Sequence, residues 1–412
     1  MAKSTFFTGQ PIFNQILSLI PSHFISRLSR QYQGDRYCKK FRSNDHLITL
    51  LYCTFHKCTS LREVVTGMQA SQQRLTHLGL KSTPRRSTLA DANCRRPAAF
   101  FQDLYHHLYA QYYGSLPDSL KGKKVVDKLF IIDSTTISLF STVMEGTGCF
   151  GLNGKKKGGA KAHVLMKAKD DVPGFIRITK GKESDHSFLS SIRMPQGSII
   201  VIDKGYRSYS QFISWSQQKI SWVTRLQSKS VYQRVCERPV TEHQSSHGII
   251  SDAEILLGNP RTAYINKPQK TRLIVYRDPL TNRIFEFITN NFKYSALTIA
   301  DIYKKRWQIE LLFKRIKQNF QLHYFLGDNE NAIRIQLWSA LIADLLLKII
   351  QDKVALKRKW SMANLAGLVR LQLSTYINLF AFLENPDKAL LNYQDPIDQK
   401  QLSFFPVSSR GA

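Results

Sequence analysis

Tyr303-Lys-Lys-Arg306-Trp-Gln-Ile-Glu310-Leu-Leu-Phe-Lys-Arg-Ile-Lys317 is the stretch on which the reading of this chain turns. At a helical advance of about 100° per residue, Tyr303, Arg306, Glu310 and Lys317 fall within an arc of roughly 60°. Ile302, Ile309, Leu312, Phe313, Ile316 and Phe320 occupy the adjacent arc and form a core-facing stripe. The spacing predicts one helix over 300–320, with a single carboxylate set among cations and a phenol on its outer face. A lone Glu held that way suits a metal ion bound beside phosphates. A solvated face with ordinary i,i+4 ion pairs explains it equally well.

Two strands upstream shift that balance. Leu129-Phe-Ile-Ile-Asp133 and Ser198-Ile-Ile-Val-Ile-Asp203 are apolar runs that each end in a carboxylate. An Asp in that position has to be solvated or neutralised. Either one alone reads most simply as a strand-end turn former. Paired as parallel neighbours, the strands would bring both carboxylates to one sheet edge, and Glu310 would join them from a helix packed across it. Three acidic ligands would then converge with no internal cation. Hard oxygen ligands of this kind match Mg²⁺, with Mn²⁺ as a substitute. Two such ions about 3.5–4 Å apart suit in-line phosphoryl transfer.

The flanking pattern is α/β. Residues 162–168, 174–179 and 221–226 read as further strands and 210–217 as a short helix, which together suit a mixed sheet with helices on its faces. From 227 to 289 strands and turns dominate. A hairpin is expected between 273–277 and 284–288, around Asp278-Pro-Leu-Thr-Asn-Arg283. Helix returns at 300–320 and 331–350. Residues 8–115 read as helices, with a capping box at Ser60-Leu-Arg-Glu63 and a helix start at Thr83-Pro-Arg85-Arg86-Ser87-Thr88, capped by Ser87 or Thr88. Short helices with Arg85 and Arg86 at a start resemble a helix-turn-helix DNA reader, and a bundle with a basic exterior fits as well. The expected units are a helical DNA-binding segment over 1–118, a core over 119–226 and 291–355, a β-rich insertion over 227–290 and a C-terminal segment over 356–412. Leu365, Leu368, Leu371 and Leu373 in that last segment are expected to pack on the core rather than to dimerise.

Composition agrees with an anionic partner. The chain has 412 residues, 59 Lys and Arg against 30 Asp and Glu, and a formal charge of +29; its 43% apolar content suits two or three folded domains. Such an excess of charge repels itself unless a polyanion offsets it, and phosphate backbones are the commonest polyanion. The six cysteines form no Cys-x-x-Cys pair, and the spacing of His46, Cys53, His56 and Cys58 fits no familiar zinc module. The first residues lack an apolar signal core, and the apolar run over 337–350 is short and broken by Asp344 and Lys348. An intracellular protein with no membrane partner is expected.

The helix Tyr303-x2-Arg306-x3-Glu310-x6-Lys317 resembles the Tyr-Arg-Glu-Lys signature of the insertion-sequence-four family of DDE transposases. Asp133 in Ile-Ile-Asp-Ser-Thr and Asp203 in Asp-Lys-Gly-Tyr are similar to the surroundings of that family's first two acidic residues. The resemblance covers residues 125–350. It implies a ribonuclease-H-like core interrupted by a β-rich insertion, with Asp133, Asp203 and Glu310 holding two Mg²⁺ ions in the bacterial cytosol or nucleoid. It implies excision of a mobile element at its terminal inverted repeats and joining to target DNA, by a homodimer on double-stranded DNA. Tyr303, Arg306 and Lys317 would clamp phosphates, and Tyr206 would touch DNA near the second Asp. An inactive relative that only binds DNA, and a nuclease without strand transfer, are the alternatives. The sequence departs from relatives that stack a flipped base on an insertion-domain Trp beside a DNA hairpin, since its tryptophans stand at 215, 222, 307, 338 and 360. Tyr264, Tyr276 or Phe285 would have to substitute.

Overall fold

The computed structural model of the chain describes residues 9–114, 119–120, 122–138, 159–180, 185–206, 208–258, 268–320, 322 and 324–391. Among them, nine strands share one sheet: β1 (Leu129–Ser138), β2 (Gly159–Lys167), β3 (Pro173–Lys180), β4 (Ile199–Ile202), β5 (Ser221–Arg225), β6 (Tyr232–Glu237), β7 (Ile249–Leu257), β8 (Gln269–Arg277) and β9 (Ile284–Thr289). Their spatial order is β3-β2-β1-β4-β5-β9-β8-β7-β6. β1 runs antiparallel to β2 and parallel to β4, and β4 runs parallel to β5. The expected insertion does not stand apart as a sheet of its own. β9 pairs antiparallel with β5, Val223 opposite Thr289, so β6–β9 lengthen the core sheet. The junction is tied by side chains: Thr289 Oγ1 donates to Trp222 O at 2.6 Å, and Trp222 N donates to Asn290 Oδ1 at 2.9 Å.

The central strands are apolar on both faces because both faces are covered. Ile131, Val201 and Val223 point into one apolar cluster, and Phe130, Ile132, Ile200, Ile202 and Trp222 into another. The helices in chain order are α1 (Ile12–Leu17), α2 (Ser22–Gln31), α3 (Ser43–His56), α4 (Leu61–Ala70), α5 (Gln72–Leu75), α6 (Arg86–Arg95), α7 (Ala98–Tyr113), α8 (Val125–Lys128), α9 (Asp185–Ser191), α10 (Tyr209–Gln217), α11 (Glu242–Ser246), α12 (Ala296–Lys304), α13 (Trp307–Asn319), α14 (Glu330–Val354), α15 (Met362–Gln372), α16 (Leu379–Glu384) and α17 (Pro386–Leu391). Phe188 and Leu189 of α9 and Phe212 and Trp215 of α10 fill the second cluster. The first cluster is continuous from α13 through α14 into the N-terminal helices α3 and α7.

α14 is buried nearly all round, which explains its apolar sequence without a membrane. Among the described residues no helix is long and apolar enough to cross a bilayer. Its Asp344 is neutralised by Arg315 of α13, whose Nε and Nη2 donate to the two carboxylate oxygens at 2.9 and 2.8 Å. The N-terminal helices thus share the core of the sheet rather than forming a detached bundle. Ile12 N and Phe13 N donate to Thr375 O and Leu373 O, which pins α1 to the C-terminal segment. Leu365 and Leu373 are buried as expected for packing, while Leu371 is exposed.

Local signals hold unevenly. Ser60 caps α4 by accepting from Glu63 N, but the Glu63 carboxylate reaches Thr59 N rather than Ser60 N, so the box closes one residue early. α6 starts before the expected caps: Arg85 is its extended N-cap, with no side-chain bond, and Ser87 and Thr88 lie inside the helix. The predicted single helix over 300–320 is two helices. Between α12 and α13 the bonds tighten to i→i+3, Arg306 N to Tyr303 O and Ile309 N to Arg306 O, while Arg306 keeps helical angles. A tightened turn of this kind keeps the axis nearly continuous while re-aiming the side chains around it.

Candidate active site

β1 and β4 pair in parallel with Ile132 opposite Ile202, so the next residues, Asp133 and Asp203, stand side by side at the place where β4 ends. Asp133 is not itself a strand end. β1 continues to Ser138 along β2, with Asp133 opposite Val164. Ser134 N donates to Asp133 Oδ1 at 2.8 Å and Gly205 N to Asp203 Oδ2 at 3.2 Å, which fixes both carboxylates on their own backbone. α13 crosses β1, its stripe Ile309, Leu312, Phe313 and Ile316 facing inward, and turns Glu310 toward the same edge.

The expectation of three carboxylates with no internal cation is corrected. Arg306 Nη1 lies 3.0 Å from Asp133 Oδ2, and its Nη2 donates to Glu310 Oε1. Arg225, at the end of β5, lies 3.3 Å from Asp203 Oδ1. Carboxylates this crowded need counter-charge, and in the protein alone the nearest guanidinium groups provide it. Burial pushes the Asp133 carboxyl up to about 6; Asp203 and Glu310 add to the rise, and Ser134 N–H and Arg306 oppose it. That shared effect records how close the three acids are in electrostatic terms.

The donor set suits a hard cation, being carboxylate oxygen throughout. A guanidinium bridging Asp133 and Glu310 is a stand-in positive charge at that place. Among the described residues no three His, Cys, Asp or Glu side chains form a group that could hold a metal ion. The fit to a divalent ion therefore rests on the chemistry of the donors, all carboxylate oxygens, and not on their present spacing.

Tyr303 is 7% exposed, its ring 4.7 Å from Phe287, with Arg225 and Arg306 over its face at 5.9 and 5.8 Å. Its hydroxyl has no hydrogen-bond partner. Lys317 is half-buried and donates to Thr135 Oγ1 at 2.8 Å and Thr136 O at 3.2 Å; burial lowers its pKa. Arg306, Glu310 and Lys317 thus lie along β1, while Tyr303 packs against β5 and β9.

Other sequence-derived candidates fall elsewhere. Tyr206 is buried at 2% exposure in the second apolar cluster, edge-on to His163, so it shows no face to DNA; the short turn Lys204–Tyr206 folds its side chain under the sheet edge. Tyr276 is likewise buried, and Phe285 is half-buried on Phe287; Tyr264 lies outside the described residues. Arg85 and Arg86 are exposed at the start of α6. His46 is buried and bonded to Asn93 at 2.8 Å. Two residues were missed. Arg225 obeys the rule that singled out the aspartates, a charge closing an apolar strand. Trp307, 59% exposed next to Arg306, has Leu311, also exposed, one turn on, and neither belongs to the apolar stripe.

The family model described as a transposase DDE domain matches residues 125–346, and a domain of unknown function matches 8–81. A transposase named y4zB from Sinorhizobium fredii is 34% identical over 271 residues, covering 65% of this chain and 72% of that protein. A transposase for insertion sequence element IS4SA from Synechocystis is 24% identical over 323 residues, covering 76% and 86%. A cryo-EM structure of the piggyBac transposase synaptic complex with hairpin DNA aligns over 97% of this chain and 85% of that one, at 12% identity and a TM-score of 0.44, too distant to bear on the fold. The chain belongs to the DDE transposase family, in the company of the insertion-sequence-four transposases.

Proposed function

We propose that this chain cuts a mobile element free at its terminal inverted repeats and joins the freed 3′ ends to target DNA, with Asp133, Asp203 and Glu310 as its catalytic carboxylates. The observation that carries this reading is the parallel register of β1 and β4, which sets the two aspartates side by side, with Glu310 linked to Asp133 through Arg306. The order β3-β2-β1-β4-β5, three antiparallel strands followed by two parallel ones, supports a ribonuclease-H-like core lengthened by β6–β9.

The three carboxylates would hold Mg²⁺ or Mn²⁺, whose chemistry is to activate the attacking oxygen and relieve charge on the leaving one. The chain's own residues do the rest. Asp133 and Asp203, anchored by backbone N–H groups, fix the donor oxygens. Arg306, released from them, is a planar fork that matches a phosphate. The Tyr303 hydroxyl is buried without a partner, at a cost of about 1–3 kcal/mol, and would meet a phosphate oxygen only once Arg306 has moved off its ring. Lys317 adds charge along β1. In the first step a P–O3′ bond at the element end breaks as water attacks phosphorus. In the second the freed 3′ oxygen attacks a target phosphodiester, its proton lost and the target's 3′ oxygen leaving. Trp307 gives an aromatic face beside Arg306 on which an unpaired base can stack. Arg85 and Arg86 extend the basic surface, and a homodimer pairs the two ends.

The test uses DNA ending in the inverted repeats that bracket the gene. Asp133→Ala, Asp203→Ala and Glu310→Ala should each abolish Mg²⁺-dependent cleavage and keep DNA binding. Undiminished cleavage by Glu310→Ala rejects the site.

A further inference from the structure

The N-terminal domain carries a surface that the catalytic reading does not use. Between Ser22 and Arg42 stand six cations, Arg27, Arg30, Arg36, Lys39, Lys40 and Arg42, and one carboxylate, Asp35. Asp35 is already engaged, accepting from Ser43 N at 2.5 Å and Ser43 Oγ at 2.8 Å. All six cations are exposed. Among the described residues Arg30, Lys39 and Lys40 have no ion pair or side-chain hydrogen bond.

The segment between α2 and α3 is built rather than slack. The buried guanidinium of Arg96 reaches in from the α6–α7 junction, its Nε donating to Gly34 O at 3.1 Å and its Nη2 to Phe41 O, and lies over the Phe41 ring at 5.3 Å. Gly34 has no room for a side chain, since a Cβ would come within 2.6 Å of Ser43 Oγ. Clamped at its base, the loop projects Tyr37, 88% exposed and in the left-handed region at φ 60°, with the Arg36 guanidinium stacked over its ring at 5.0 Å. A cleft of about 740 Å³ lies on one flank, lined by Arg30, Arg36 and Arg42 with Ser26 and Asn44, and by Asp35, whose carboxylate is taken up by Ser43. A second, of about 450 Å³, lies on the other, lined by Lys39 and Lys40 and by Arg95, which is paired with Asp91 at 3.0 Å.

We infer that this loop is a docking element for duplex DNA that holds phosphates of both strands in its two clefts and turns Tyr37 into the groove between them. Cations on both sides of a single projection suit the two phosphate walls of a groove in B-DNA. The hydroxyl and amide groups of the first cleft are phosphate donors. A single-strand channel would need successive aromatic platforms, and here one aromatic is exposed at the tip. A membrane surface would call for an apolar face, which the loop lacks. The assignment rests on the chain acting on DNA and gives its N-terminal domain a contact surface apart from Arg85 and Arg86.

The test is binding of the full-length protein to a 30-bp duplex of arbitrary sequence and to the matching single strand, in EDTA, over a range of salt concentrations. Because no metal or chemistry enters, failure here leaves the catalytic reading standing, and the reverse also holds. The triple variant Arg36→Ala/Lys39→Ala/Lys40→Ala should reduce the slope of log affinity against log salt on duplex by about two to three, near 0.9 for each phosphate contact removed. Tyr37→Ala should weaken duplex binding and keep the slope. The control Lys219→Ala/Arg283→Ala/Lys293→Ala, also at exposed sites, should keep both. The inference is overturned by an unchanged slope in the first triple variant, by an equal fall in the control, or by a loss confined to single strands. Unchanged binding by Tyr37→Ala removes the groove insertion.

Discussion

Arg306 Nη1 lies 3.0 Å from Asp133 Oδ2, so the first carboxylate of the proposed site is held by the residue to which the signature resemblance gives a phosphate. The same guanidinium bonds Glu310. On the proposed reading, one cation therefore stands where a metal ion and a DNA phosphate would bind.

Removing that cation should open the site to metal. Arg306→Gln should bind Mn²⁺ more tightly than the native protein in the absence of DNA. The gain should be on the order of tenfold, since bonds to charged groups are worth about 1.5–3 kcal/mol and a tenfold change is about 1.4. Mn²⁺ titration followed by electron paramagnetic resonance reads this directly, and equal or weaker binding would show that Arg306 does not stand in for the ion.

Arg225 holds Asp203 from the neighbouring strand, in a pair that is about a quarter exposed on each side. A pair so open to water contributes about 0–1 kcal/mol to stability. Arg225→Ala should therefore melt close to the native protein and still join DNA ends roughly tenfold more slowly, about 1.4 kcal/mol at the barrier. A melting loss in proportion to the activity loss would make Arg225 a structural residue only.

The α13–α14 contact carries the opposite kind of ion pair. Asp344 is 2% exposed and binds Arg315, which also reaches Asp171 Oδ2 at 2.9 Å. Asp344→Ala would leave a buried guanidinium short of its counter-charge, at a cost of about 3–5 kcal/mol. Urea unfolding should show that loss, and a loss below about 1 kcal/mol would mean that Asp171 alone satisfies Arg315.

Acid should loosen the N-terminal helices. Burial, with Arg96 adding to it, holds the His46 imidazole down to about 3. A histidine in the unfolded chain titrates near 6.5, so below that pH the unfolded state takes up a proton that the folded state refuses. Stability should be unaffected by this group above about pH 6.5 and should fall by up to about 1.4 kcal/mol per pH unit between there and about 3. Urea midpoints at pH 7.5, 6 and 5 for the native protein and His46→Gln should diverge in slope, and parallel slopes would exclude His46 as the proton-linked group.

Much of the geometry of the candidate site was legible because strand and helix periods place side chains. Asp133 and Asp203 follow apolar runs of equal kind, and parallel pairing of such runs sets their ends together. Glu310 and Lys317 follow from the stripe beside them. Partners were less legible than positions. Nothing in the spacing of Arg306 says that it bends back onto Asp133 rather than outward, because its orientation depends on the tightened turn after Tyr303. Tyr206 looked like a contact by its place after Asp203, yet it is the cluster beneath the sheet that takes its ring. The insertion was recognisable as strands, but its pairing with β5 depends on Thr289 and Asn290, whose bonds to Trp222 lie about 68 positions apart in sequence.

The most direct measurement supplies pre-cleaved element ends and supercoiled target DNA with Mg²⁺ and counts joined products for the native protein, Asp133→Asn, Asp203→Asn and Glu310→Gln. These variants keep the volume of each side chain and should keep binding of the ends. The expected result is joining by the native protein and a loss on the order of 10²–10³ or more in each variant, the scale on which removing one group that stabilises transition-state charge is felt. Joining at native levels by any of the three would contradict a shared catalytic site at the edge of β1 and β4.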